Sequence, residues 1–189
     1  MSGFSSECGR ILLSMARKAV EEYVYDGRTL EFEAPSEPEL SESRGLFVTL
    51  KINGLLRGCI GYITGFEPLY KAVSSLAVSS ASRDPRFRPV TRREMKDIRI
   101  EISVMSEPRL EKKPYNIIMG RHGVIVRKGD RQGVYLPQVA AETGWSRDEF
   151  LDSLCESKAG LPKDSWRSGA ADIYTFTADV FSEDDNLEM

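Results

Sequence analysis

An α+β fold, with a mostly antiparallel sheet flanked by helices, is what three features of the sequence predict. Residues 6–26 repeat apolar side chains at spacings of three and four, the period of a helix with one buried face. Asn53-Gly54 lies between two strand-like runs, the strongest short signal for a two-residue hairpin turn. Residues 98–105 alternate strictly between apolar and polar, the period of a strand buried on one side. Helices and hairpins separated by irregular loops imply this class.

In the first helix Ile11, Leu12, Met15, Ala16, Ala19, Val20 and Tyr23 form the apolar stripe, and Gly27 is the stop. From Thr29 to Arg44, Glu31, Glu33, Glu37, Glu39 and Glu42 with Pro35 and Pro38 read as an exposed acidic connector, with a short edge strand near Leu30–Glu33. In the hairpin of residues 45–63, a type I′ turn sets Ile52 opposite Leu55, Leu50 opposite Arg57 and Val48 opposite Cys59, all on one face. Gly58 and Gly61 mark a bulge or a close backbone approach, which loosens that register beyond Arg57. Pro68 opens a helix to about Ser82, with Leu69, Val73, Leu76, Ala77 and Ser80 on its inner side. Arg83–Pro89 is an irregular loop, because each of its prolines disfavours helix in the residue before it. A short helical stretch near residues 91–96 leads to the alternating strand.

Beyond Pro108 and Pro114 a second hairpin joins residues 123–127 to 134–136 through a polar turn from Lys128 to Gly133. Pro137 opens a helix through Glu142, and Ser146 with Glu149 forms a capping-box signature before Phe150, Leu151, Leu154 and Cys155, with Gly160 as the stop. A last strand, Ile173–Val180, returns to the main sheet ahead of a tail holding Glu183, Asp184, Asp185 and Glu188, expected to be solvated. The expected organisation is a larger lobe of residues 1–113 plus 166–189, carrying both termini, and a smaller central α+β lobe of residues 114–165.

With 189 residues, the chain can hide roughly 70% of its unfolded surface, so neither disulfides nor a structural metal is needed to hold the fold. Its 26 basic and 29 acidic side chains leave a net charge of −3, which disfavours nucleic-acid binding through bulk charge. Three separated cysteines without a CxxC pair and a single histidine disfavour a Cys/His zinc site and a secreted disulfide framework, although carboxylates could still complete some metal site; no metal ligand is assigned and no cofactor is expected. No apolar run is long enough to span a bilayer, and Glu7 interrupts the place of a signal-peptide core; the expected setting is reducing cytoplasm.

Candidate chemistry centres on Leu56-Arg57-Gly58-Cys59-Ile60-Gly61. The predicted register puts a guanidinium and a thiol on the more apolar face, where Arg57 requires a carboxylate, a wet cleft or an anionic ligand. A cation beside Cys59 would lower the thiol pKa and favour the nucleophilic thiolate. The plain structural readings stand alongside: Cys59 as a small core residue, Arg57 in a salt bridge. His122, in a glycine-flanked turn, is a candidate general base for Cys59 or simply a loop histidine. Glu101, on the polar side of its strand, is a candidate to orient His122 or pair with Arg57, or simply a solvated carboxylate. Residues 83–99 hold Arg83, Arg86, Arg88, Arg92, Arg93, Lys96 and Arg99 against Asp84, Glu94 and Asp97. Anion, phosphate or nucleic-acid contact competes there with a solvated basic face, and only Phe87 offers a ring for base stacking.

The hexapeptide resembles the signature of the AMMECR-one domain family. The likeness runs from the first helix to about Phe181, through Arg83-Asp84-Pro85-Arg86-Phe87, Ile100-Glu101-Ile102-Ser103-Val104, Gly120-Arg121-His122-Gly123, Leu136-Pro137-Gln138-Val139-Ala140 and Lys158-Ala159-Gly160-Leu161. Arg88-Pro89 departs from the Pro-Pro often found in the family and adds positive charge. The resemblance implies a two-lobed α+β fold with the hexapeptide near a cleft between lobes. It also implies association with Memo-like and radical-SAM protein partners, and it names no reaction.

Two functional readings follow. In one, a thiol-dependent enzyme acts on an anionic small molecule or modified group, with Cys59 reactive, His122 and Glu101 transferring protons, and Arg57 and Arg86 binding the anion. In the other, a non-catalytic regulatory or adaptor module binds a protein or nucleic-acid partner.

Overall fold

Ser5 accepts the Cys8 amide on its hydroxyl and so starts α1 (Ser6–Asp26); Gly27, at φ 71°, ends it in the left-handed conformation that glycine adopts at little cost. A computed structural model describes residues 4–186, so the expectation for the tail beyond Asn186, Glu188 included, lies outside the described residues. The elements after α1 are β1 (Leu46–Ile52), β2 (Leu55–Tyr62), α2 (Leu69–Ser82), β3 (Ile98–Met105), β4 (Arg109–Leu110), β5 (Gly123–Lys128), β6 (Arg131–Tyr135), α3 (Pro137–Thr143), α4 (Arg147–Ser153), β7 (Asp172–Phe176) and β8 (Ala178–Ser182). They form an α+β fold with two sheets. One compact unit contains the described residues up to Met105 and from Asp179 onward; the other is Ser106–Ala178.

In the first unit the strand order is β2-β1-β3-β8. The antiparallel register Val48–Ile102 and Leu50–Ile100 places these side chains on one face, where they are buried in a single core with Leu12, Ala16 and Ala19 of α1 and Ala72, Val73 and Ala77 of α2. Each larger apolar side chain hidden there stabilises the unit by about 1.5–3 kcal/mol. The opposite face carries Thr49, Lys51, Glu101 and Ser103.

The hairpin turn forms as expected, with Asn53 at φ 52° and Gly54 at φ 76°, both positive as a type I′ turn requires. The register beyond it is not the expected one. Ile52 pairs with Leu55 and Lys51 with Leu56, but Leu50 then pairs with Gly58 and Thr49 with Cys59, leaving Arg57 as an extra bulged residue. Strand side chains alternate with period two, so one inserted residue sends every later side chain to the other face. Cys59 therefore stands beside Thr49 on the polar face.

Further departures have local causes. Leu30–Glu33 forms no strand, the connector instead making a short turn at Pro38–Ser41 that buries Leu40. Residues 92–97 are turns rather than helix. The last strand is two strands: β7 joins the second sheet and β8 joins β3, with a break at Thr177, whose amide donates to Ser106 Oγ and whose carbonyl accepts the Ser106 amide. Glu183 is not simply solvated, since its carboxylate accepts Arg17 Nε and the Ile100 amide.

In the second unit the strand order is β4-β7-β5-β6, packed on Phe150, Leu151, Leu154 and Trp166. Lys128 pairs with Arg131, so the hairpin loop is Gly129-Asp130, tighter than the expected turn. The capping box at Ser146 and Glu149 is present as expected. Beyond α4 the chain continues as a wider helical turn, Leu154–Lys158, that buries Cys155, and Gly160 follows at φ 63°.

Candidate functional site

Asp84, just past the end of α2, organises the surroundings of the hexapeptide. Its carboxylate is almost fully buried. Oδ2 accepts the Cys59 amide at 2.8 Å and Arg86 Nη2 at 2.7 Å, while Oδ1 accepts the Arg86 amide at 3.1 Å and Arg86 Nε at 2.9 Å. Arg86 Nη2 also reaches the Cys59 carbonyl at 3.4 Å. β2 is an edge strand, and an orphaned amide there would cost about 1–3 kcal/mol. The segment Asp84-Pro85-Arg86 thus engages both backbone polar groups of Cys59. The Arg86 hydrogen bonds, opposed by burial, hold the Asp84 carboxyl well below the usual carboxylate range.

Ser80 supplies the adjacent link. Its hydroxyl accepts the Ile60 amide at 3.0 Å and donates to the Val48 carbonyl at 2.7 Å, tying α2 to β1 and β2. The close approach explains Gly58, where a Cβ would lie 2.2 Å from the Ser80 carbonyl oxygen. Gly61 has a similar cause, since a Cβ there would lie 2.3 Å from the Leu46 carbonyl oxygen.

Arg57, displaced by the bulge, forms a forked pair with Glu94: Nε to Oε1 at 2.7 Å and Nη2 to Oε2 at 3.2 Å. Glu94 also accepts the amide and the hydroxyl of Thr91, each at 2.8 Å. Led by the Arg57 bond, these contacts bring the Glu94 pKa down to about 2. Of the salt-bridge and ligand alternatives for Arg57, the structure realises a salt bridge. Phe87 lies near both guanidinium groups, 5.9 Å from Arg57 and 5.6 Å from Arg86.

The Cys59 thiol accepts a hydrogen bond from Thr49 Oγ1 at 3.2 Å. Burial pushes its pKa up, and the Thr49 bond and the Arg86 charge oppose that only in part. Glu101 pairs with Lys51 Nζ at 2.7 Å, not with Arg57. His122 belongs to the second unit, where its Nδ1 accepts the Ile118 amide at 3.2 Å and burial lowers its pKa. Arg86 lies at the Cys59 backbone, as above. Asp84, Glu94 and Thr49, which no site expectation included, carry much of this geometry. A lone acid within Arg-Asp-Pro-Arg was the available sign for Asp84, and a hydroxyl on the inner side of a helix was the sign for Ser80.

Among the described residues, no group of three or more His, Cys, Asp or Glu side chains could hold a metal ion, and no helix is long and apolar enough to cross a membrane. Chemically, burial disfavours the Cys59 thiolate, and the nearest cations are committed to carboxylates.

The AMMECR1 family profile matches residues 13–181. A protein of Thermococcus onnurineus is 43% identical over 194 residues, covering 97% of this chain and 94% of that protein. Protein MK0488 of Methanopyrus kandleri is 46% identical over 188 residues, covering 95% and 90%. The crystal structure of the uncharacterized protein PH0010 from Pyrococcus horikoshii superposes with a TM-score of 0.84 at 42% identity, covering 95% of this chain and 93% of that one. The profile match spans the hexapeptide and its Asp84 clip, and the chain belongs to the AMMECR1 family.

Proposed function

We propose that the chain is a non-catalytic docking module, in which the Leu56–Gly61 segment is a rigid edge that presents the loop Arg83–Arg93 to a partner. The observation that carries this reading is that the polar groups of the segment are engaged inward: Arg57 on Glu94, the Cys59 amide on Asp84, the Ile60 amide on Ser80. A nucleophilic thiol needs a cation or base free to favour the thiolate, whereas Arg86, the cation at Cys59, is committed to the Asp84 carboxylate. Alkylation by iodoacetamide, followed residue by residue by mass spectrometry across pH, tests the reading. Cys59 is expected to react more slowly at neutral pH than a small free thiol, with an apparent pKa above about 8.5. Faster reaction with a lower pKa overturns it.

The second reading, a thiol-dependent enzyme acting on an anionic small molecule, is favoured by the partial exposure of Cys59 on the polar sheet face and by the Thr49 hydroxyl bonded to its sulfur. The same pH–rate profile decides between the two.

A further inference from the structure

We infer that the hairpin tip and the basic loop together form a docking surface for an acidic peptide segment that carries apolar side chains. The inference deepens the docking reading by naming the class of partner.

Leu55 and Leu56 protrude at the tip, 74% and 41% exposed. The next residue, Arg57, is tied to Glu94 and to the Pro89 carbonyl, which seats this part of the hairpin against the loop. Arg83, Arg88 and Arg93 are exposed, and none makes a side-chain ion pair among the described residues. Each adjoins a residue that contacts the hexapeptide: Asp84 on Cys59, Pro89 on Arg57, Glu94 on Arg57. Bonds to Asp84, buried, and Glu94, half-buried, hold the hairpin and the loop on one framework, so a partner need not order that framework in order to use it.

Charge complementarity selects an acidic occupant, and the leucines select a peptide. A phosphate backbone gains nothing from two aliphatic side chains, and Phe87 is already flanked by Arg57 and Arg86 rather than free to stack on a base. Two leucines are too little apolar area for a stable hold on a lipid surface. A second copy of this chain offers an acidic and apolar run at Leu30–Glu33, but Phe32 packs against the core of its own unit.

The test is fluorescence anisotropy with a labelled peptide of repeated Glu-Leu-Glu-Phe. It is compared with an all-Glu peptide of equal charge, oligo-dT of equal charge, and vesicles of phosphatidylserine and phosphatidylcholine. The mixed peptide is expected to bind the full chain roughly tenfold more tightly than the all-Glu peptide, a difference of about 1.4 kcal/mol. The double variant L55S/L56S should reduce it to the all-Glu level, R83E/R88E should abolish binding, and R121E, in the second unit, should leave it unchanged. Circular dichroism confirms that each variant is folded.

No binding of the mixed peptide, equal binding of the two peptides, an equal loss in R121E, or tighter binding of oligo-dT or vesicles overturns the inference. If the peptide fails while Cys59 alkylates slowly, the docking reading survives without this partner. If the peptide binds while Cys59 alkylates rapidly, the surface stands and the non-catalytic reading falls.

Discussion

Asp84→Asn removes one negative charge from the centre of the hexapeptide's support while keeping the side chain's shape. The carboxylate accepts four hydrogen bonds, but they are not equal in energy. Arg86 is 54% exposed, so water can replace much of what its guanidinium loses. The Cys59 amide is the sheltered donor, and an asparagine can offer it only a neutral oxygen, with an NH2 group turned toward the remaining donors. Leaving such groups poorly paired costs about 1–3 kcal/mol. For a chain of 189 residues each kcal/mol moves Tm by about 2–4 °C, so a fall of about 4–8 °C is expected at pH 7 for a loss near 2 kcal/mol. The acid dependence supplies a second criterion. The folded-state pKa of Asp84 lies below its unfolded value near 3.9, so its stabilisation is fully present above about pH 5 and is lost as pH falls through the folded value. Thermal melts of the two proteins should therefore differ by a constant amount between about pH 8 and pH 5 and converge in stronger acid. Equal Tm at pH 7, or a gap that persists undiminished into acid, would refute the reasoning.

Gly58→Ala, judged by urea midpoints, should destabilise by about 3 kcal/mol or more, because its Cβ meets helix backbone rather than a movable side chain. Gly54→Ala should cost only about 1 kcal/mol, since nothing lies within 4 Å of that Cβ and only the positive φ is strained. Glu94→Gln should cost about 1–2 kcal/mol at pH 7 after allowance for its partial exposure. With a folded pKa of about 2 against about 4.5, the Glu94 contribution is lost as pH falls between those values, so denaturant melts of variant and wild type should approach one another below about pH 3. Thr49→Val removes the bond that opposes burial at Cys59, and the pH–rate profile for alkylation should shift to higher pH.

Much of this architecture was legible along the chain because local signals produced it. The 3.6-residue stripe of α1, the alternation of β3, the Asn53-Gly54 turn and the capping box at Ser146 each depend on neighbours a few residues away. Gly58 and Gly61 were legible as sites of close approach, although not what approached them. The candidate site was less legible. Cys59 and Arg57 could be singled out, but their faces depended on a one-residue bulge that no local pattern places, and their partners come from Asp84 and Glu94, more than twenty residues away.

The sequence by itself determined the α+β class, the principal helices, the hairpins and the family, because periodicity, turn chemistry and ordered motifs are properties of short stretches. Only the tertiary structure decided that the last strand divides between two sheets, that Cys59 stands on the polar face beside Thr49, and that Arg57 and Arg86 are tied to carboxylates. Those outcomes turn on strand register and on burial of charge, which are set when distant segments pack together and must satisfy one another's polar groups.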